Sequence, residues 1–209
     1  MLNICSIIMA KPDSKDYLLK KTFFLLLTKG YDDVSITDIQ NETGMSRGIL
    51  YHYYSNKEEL FHAAAEVYLV GPFLIELEKT KGFGLMEMIG YVVEKYRQNL
   101  QEWRQHAGTG KISMANYDFL FYQMIRKNKK IEKTYYRMRE EERVAWVTAT
   151  QLSLSRNEIH SMLSAGQIAE HFILILDGAW MQFSEKGSVS QYIRLTNQAL
   201  QNYYKLLKK

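Results

Sequence analysis

The chain has 209 residues, 46% of them hydrophobic, enough apolar material to bury a sizeable core and to exclude a disordered polypeptide. A single cysteine, Cys5, excludes an intramolecular disulfide framework and fits a reducing, cytoplasmic setting. The net charge of +4 is too mild to argue for nucleic acid: between Lys11 and His62, seven Lys or Arg face eight Asp or Glu, so such a claim must rest on where individual residues sit.

Residues 1–12, MLNICSIIMAKP, read as a disordered tail. Its apolar run is too short for a bilayer and lacks the basic flank of a signal peptide, so neither export nor a membrane partner is expected. Beyond it, only two prolines occur, Pro12 and Pro72, and apolar residues recur at spacings of three and four, which predicts an all-α protein. Asp13 or Ser14 can cap a first helix over roughly 14–29, with Leu18, Leu19, Thr22, Leu25 and Leu26 on one face and Gly30 ending it in the left-handed conformation. Ser35, three residues before Asp38, opens a short second helix that Gly44 stops. Ser46 caps a third that runs to about Tyr54. Asn56, three before Glu59, starts a fourth that continues to about Val70, where Gly71-Pro72 breaks or kinks it.

Longer helices follow over roughly 84–105, 113–127, 130–157, 167–186 and 189–207, the last with a capping box of Ser188 and Gln191. The basic run Arg126 to Lys133 and the mixed run Arg137 to Arg143 read as a solvated face.

Two short helices joined across Gly44-Met45, the second opened by a serine, describe a helix-turn-helix whose second helix can enter a major groove; an ordinary helical corner is the competing reading. Leu50 and Tyr54 are four apart and, with Met45, Ile39 and Leu26, make a small core. Arg47, Gly48, Tyr51 and His52 then face outward, an arrangement suited to phosphates and base edges. Lys57, at the start of the fourth helix, is placed to meet a phosphate together with free backbone N–H groups.

Over residues 18–62 this series resembles the TetR/AcrR family of transcriptional regulators: Lys29-Gly30-Tyr31-Asp32, Ser35-Ile36-Thr37-Asp38-Ile39, Gly44-Met45-Ser46, Leu50-Tyr51-His52-Tyr53-Tyr54 and Lys57-Glu58-Glu59-Leu60-Phe61. The resemblance implies a helix-turn-helix DNA-binding domain over 13–62 and a larger helical ligand-binding and dimerisation domain over 63–209. It implies further that Arg47, Gly48 and His52 face bases, that Thr37, Tyr51, Tyr53 and Lys57 contact mainly the sugar-phosphate backbone, and that Ser46 belongs to the same DNA-binding set. Gln40 and Thr43 stand where the family usually has small alanines, Ile49 where a small Thr or Ser is usual, and Tyr54 replaces the usual Phe. The first two put close packing of the second and third helices in doubt.

In the remaining two-thirds, the dense aromatic and methionine residues from Trp103 to Trp146 nominate an apolar pocket with Trp103, Tyr117, Phe121, Met124 and Trp146 as lining, ordinary core filling being the alternative. Leu176-Asp177-Gly178 looks like a family feature of the penultimate helix. Phe172, Ile175 and Ala179, with Ile168, form one apolar stripe, and Leu195 and Ala199, with Leu206, another; together they nominate a four-helix homodimer interface, unless both stripes face the subunit's own core. His106 and His171 lack partners at metal-ligand spacing, and no catalytic triad or phosphate loop occurs, so neither a metal, a cofactor nor an enzymatic activity is expected. The expected function is that of a homodimeric repressor released from a pseudo-palindromic operator in double-stranded DNA by a small apolar or amphipathic effector. The alternative is a small-molecule-binding or protein-interaction scaffold with a vestigial helix-turn-helix.

Overall fold

The computed structural model describes residues 14–107, 113–186 and 188–208, with the side chains of 102–107 and 184–186 outside that description. The tail over 1–12, with Cys5, also lies outside it, as does the Trp103 side chain. Among the described residues there are ten α-helices and no strand: α1 (Ser14–Lys29), α2 (Ile36–Thr43), α3 (Arg47–Tyr53), α4 (Lys57–Ala65), α5 (Leu77–Thr80), α6 (Leu85–Ala107), α7 (Met114–Lys127), α8 (Lys129–Ser155), α9 (Ala165–Lys186) and α10 (Val189–Leu207). A helix-turn-helix domain at the amino-terminal end precedes a larger helical domain.

Local chemistry sets most of these boundaries. Gly30 (φ 85°) and Gly44 (φ 71°) both close their helices in the left-handed region, where an L side chain is strained. At the start of α2, Ser35 Oγ accepts from the Asp38 N–H (3.1 Å) while Asp38 Oδ2 accepts from the Ser35 N–H (2.8 Å), a complete capping box. α9 opens two residues earlier than its apolar period predicts because Ser164 and Gln167 form the same reciprocal pair, at 3.3 and 2.9 Å. α5 is a four-residue turn with no periodic signal in the sequence.

The fourth helix departs most from expectation. Instead of continuing to Val70, it widens into a π-helical turn over Glu66–Val70 and tightens into a 3-10 turn over Gly71–Phe73. The Tyr117 hydroxyl, from α7, donates to the Leu69 carbonyl, and Asn99, from α6, donates to that of Pro72, so side chains of neighbouring helices take carbonyls that a regular helix would pair internally. Gly71 is required by close approach: a Cβ there would lie 2.9 Å from the Glu66 carbonyl oxygen. The segment Lys57–Thr80 has the length and apolar composition of a membrane span, but it is broken at these two turns, and Leu60, Phe61, Ala64, Leu69 and Val70 belong to the core.

In the amino-terminal unit α1 packs on α2 and α4, burying Leu18, Leu19, Phe23, Leu26 and Leu27. Leu25, expected on that face, is only half-buried. In the larger unit α8 packs on α9, and α10 on α6 and α9, while α7 lies against α8, α9 and α1. At its centre Trp146 stacks on Phe172, ring centroids 4.9 Å apart and planes within 4°. Both rings are fully buried. Phe172→Ala is expected to lower stability by about 3–5 kcal/mol, the usual cost of deleting a buried aromatic. Denaturant unfolding at several protein concentrations checks this, since a loss from the subunit's own core persists at all of them.

Candidate nucleic-acid interface and ligand cavity

α3 is seven residues long and holds its orientation through its ends and two anchors. Ser46 Oγ accepts from the Ile49 N–H (3.3 Å), and Leu50 and Tyr54 are buried against the core that contains Leu26 and Ile39. Arg47, Gly48, Tyr51 and His52 are exposed, and the Arg47 guanidinium lies 5.5 Å from the Tyr51 ring centroid. Thr37 on α2 is exposed and Tyr53 half-buried, with His52 in edge contact with the Tyr53 ring. Lys57 is tied back: its ammonium donates to the Val34 carbonyl (3.2 Å) and sits 5.2 Å from the Phe61 ring centroid.

The residues that depart from the family pattern are accommodated. Thr43 donates to the Ile39 carbonyl (2.7 Å) and its hydroxyl accepts from the Met45 N–H (3.2 Å), so it fastens the turn that an alanine would leave unbonded. Gln40 is half-buried and its backbone carbonyl receives the Gly44 N–H. Ile49 stays 45% exposed beside Arg47 and Gly48.

Several acids of the unit are held locally. Glu42 is held by Lys21 (2.7 Å), and Asp38 by Lys29 (2.5 Å). The Lys29 ammonium, with the Ser35 hydroxyl and N–H, holds the Asp38 carboxyl well below the usual carboxylate range. Glu59 accepts from the Ser55 N–H (2.8 Å), a bond that lowers its pKa. These acids are engaged away from Arg47, which has no carboxylate ion-pair partner among the described residues.

The larger domain holds a cavity of about 310 Å³ among the π-turn, α6, α7, α8 and α9. Tyr117 and Phe121 line it. Met124 and Trp146 do not: both are fully buried in the core, Trp146 under Phe172, so their aromatic or thioether bulk fills space rather than bounding the cavity. Tyr135, from the same aromatic-dense stretch, lines it too, and residues not picked from the sequence complete the wall, chiefly Phe73, Tyr96, Arg139, Glu142 and Trp180. Leu176 and Asp177 of the family-like tripeptide also face it, a signal visible in the sequence.

Arg139 and Glu142 correct the reading of 137–143 as a solvated face. Arg139 Nη1 meets Glu142 Oε2 at 2.8 Å, and its two Nη atoms meet the Asp177 carboxylate at 3.1 and 2.6 Å. Glu142 is 6% exposed. Burial, reinforced by Asp177 and opposed by Arg139, pushes its carboxyl up from 4.5 to about 7. Burial likewise raises the hydroxyls of Tyr96 and Tyr117 well above the usual phenol range.

On the outer side of α9 and α10, Ile175, Ala179, Leu195 and Ala199 line a shared groove with Leu174 and Gly178. Phe172 is not part of this face: three residues before Ile175, it is fully buried. Ile168 is buried with it, and Leu206 is 82% exposed. Among the described residues no group of three or more His, Cys, Asp or Glu is arranged to hold a metal ion.

A short exposed helix held by a serine cap, followed by a larger helical domain with an internal cavity, defines a helix-turn-helix regulator fold. Residues 18–64 match the bacterial regulatory proteins of the tetR family. A segment of 52 residues is 33% identical to the biofilm operon icaADBC HTH-type negative transcriptional regulator IcaR of Staphylococcus epidermidis, covering 25% of this chain and 28% of that relative's length. The fold as a whole is similar to a TetR transcription regulator from Haloarcula marismortui (TM-score 0.71, 15% identity, 94% of this chain and 99% of that one). It is similar also to reduced NemR of E. coli (TM-score 0.63, 16% identity, 94% and 98%) and to a Saccharomonospora viridis protein in complex with choline (TM-score 0.66, 15% identity, 93% and 97%).

The raised pKa of Glu142 has a defined sign. Between about 4.5 and about 7 the folded chain binds the proton and the unfolded chain does not, so this group's contribution to stability falls as pH rises through that window. The groups around it are Arg139, Asp177, Tyr96 and Tyr192. Glu142→Gln is therefore expected to change Tm more favourably, by a few degrees, at pH 8 than at pH 5, measured as mutant minus wild type in thermal unfolding. An unchanged difference between the two pH values refutes the assignment.

Proposed function

We propose that the chain is a DNA-binding transcriptional regulator of the repressor type, homodimeric, whose hold on a pseudo-palindromic operator is released by a small apolar or amphipathic effector in the cavity. The observation that carries the reading is the exposed face of α3, where Arg47, Gly48, Tyr51 and His52 stand clear of the ion pairs Lys21–Glu42 and Lys29–Asp38. Arg47 and His52 offer donors to base edges, Gly48 lets the backbone approach, and Thr37, Tyr51, Tyr53 and Lys57 offer contacts to the sugar-phosphate backbone. The alternative, a scaffold with a vestigial helix-turn-helix, rests on the acid balance, which the pairing of Lys21 with Glu42 and of Lys29 with Asp38 leaves unchanged because each pair removes one base with one acid.

Dimerisation is supported by the groove along α9 and α10, with Leu174, Ile175, Ala179, Leu195 and Ala199 as an apolar strip. In a dimer the two α3 helices must match half-sites about 34 Å apart, so a small pivot lowers affinity sharply. α7 supports such a pivot. Its Gln123 accepts from the Tyr31 N–H (3.1 Å), its Lys127 pairs with Asp32, and four residues of the same helix, Tyr117, Asp118, Phe121 and Tyr122, line the cavity. An effector that displaces α7 acts directly on the turn between α1 and α2. A cytoplasmic, non-enzymatic role follows from the same reading.

Gel-shift titration against the DNA upstream of the gene, across salt concentrations, is expected to give binding that weakens steeply with salt; salt-insensitive or absent binding sinks the proposal. Tyr51→Ala should weaken binding to all sequences alike, and Arg47→Ala should cost about 1–3 kcal/mol and relax the preference at its base. Leu195→Glu should turn the dimer into a monomer in sedimentation and reduce operator affinity with it; an unaltered dimer excludes the α9–α10 face.

A further inference from the structure

We infer that the cavity takes an organic cation, an ammonium or similar onium group carrying an apolar arm. This rests on the reading of the cavity as the effector site and narrows it to one charge class.

The lining combines two features. Seven aromatic residues border the space, and their planes stand steeply to one another: Phe73 with Trp180 at 86° (5.6 Å), Phe73 with Tyr96 at 80° (5.3 Å) and Phe121 with Tyr135 at 80° (5.1 Å). A body inside therefore meets ring faces and edges from several directions, and ring faces attract cations. The second feature is charge. Asp118, Glu142 and Asp177 face a single cation, Arg139, in the same wall.

Arg139 does not compensate for the third acid, because its Nη atoms are already engaged by Glu142 and Asp177. It also has little left to offer an anionic ligand, which would meet the Asp118 and Asp177 carboxylates and the Glu142 carboxyl. Asp118 accepts from the Trp180 indole N–H (2.9 Å), which fixes the indole at the cavity wall and keeps a carboxylate beside it. A neutral ligand would displace water from these acids and replace it with nothing, a desolvation cost that a cation offsets. Burial keeps part of the Glu142 population neutral, and an entering positive charge shifts that carboxyl toward its ionised form, so the steady negative charge of the wall comes from Asp118 and Asp177.

Three probes of near-equal size separate the possibilities: benzyltrimethylammonium, its neutral carbon isostere neopentylbenzene, and phenylmethanesulfonate. Binding to the purified full chain is read by quenching of tryptophan fluorescence, Trp180 being in the wall, and by calorimetry. The cation is expected to bind at least about tenfold more tightly than the neutral isostere, with the sulfonate weakest. In Asp118→Asn combined with Glu142→Gln, cation affinity should fall about tenfold while the neutral isostere keeps its affinity. Equal affinity for cation and isostere, tighter binding of the sulfonate, or an equal loss for both probes in the double variant overturns the inference. A gel-shift in the presence of each probe separates this from the functional proposal: a cation that binds but leaves DNA binding unchanged sinks effector release alone, and failure of all three to bind sinks both.

Discussion

The hydrogen bond from Tyr117 to the Leu69 carbonyl lies where the two parts of the molecule meet, and much of the rest is arranged around it. It takes a carbonyl from the helix that leaves the helix-turn-helix unit, at the π-helical turn that ends the fourth helix. The same tyrosine ring forms part of the cavity wall and packs on Phe73 and Trp180. One side chain therefore touches both the irregular backbone and the space a ligand would occupy. A full turn and more along α7, Gln123 and Lys127 hold the turn after α1, so the helix bearing Tyr117 is bonded to the amino-terminal unit at a second point. Helices are stiff against compression, so a displacement at one end of α7 is carried to the other.

The second organising feature is the group of Arg139, Glu142 and Asp177, in which Glu142 is buried, Arg139 half-buried and Asp177 exposed. The guanidinium is engaged by both Glu142 and Asp177, while Asp118 is bonded to an indole and has no cation partner among the described residues, which leaves an acidic surplus in the wall. A half-exposed ion-pair group of this kind adds little to stability, because solvent screens most of the Coulomb gain. Its physical consequence is polarity: the cavity is aromatic in shape and negative in charge, which is a statement about what it can hold.

Most short-range structure was legible in the sequence because short-range chemistry decides it. Ser35 with Asp38, Gly44, Ser46 and Asn56 each set a helix end through a hydrogen bond or a φ value spanning no more than three residues, and all four stand where the spacing put them. The inward positions of Leu50 and Tyr54 followed from helical geometry alone. Ser164 with Gln167 carried the same kind of signal and was hidden only by the weaker apolar period around it. The cavity was half legible: aromatic density marked α7, but Phe73, Tyr96 and Trp180 come from elements far apart in the chain, and nothing local distinguishes them from core residues.

The sequence by itself determined the capped ends of α2, α3 and the start of α4, and the face that α3 presents, since caps, glycines and a period of three to four act within a turn or two. Only the tertiary structure decided which side of an apolar stripe is inside. Phe172 and Ile175 are neighbours on the same helix, yet one stacks on Trp146 and the other opens onto the outer groove. It also decided that Arg139 and Glu142, charged residues in a charged run, turn toward the cavity. The reason is the same in both cases: a helix facing two neighbours has two candidate faces, and only the packing of the other helices determines which one is withdrawn from water.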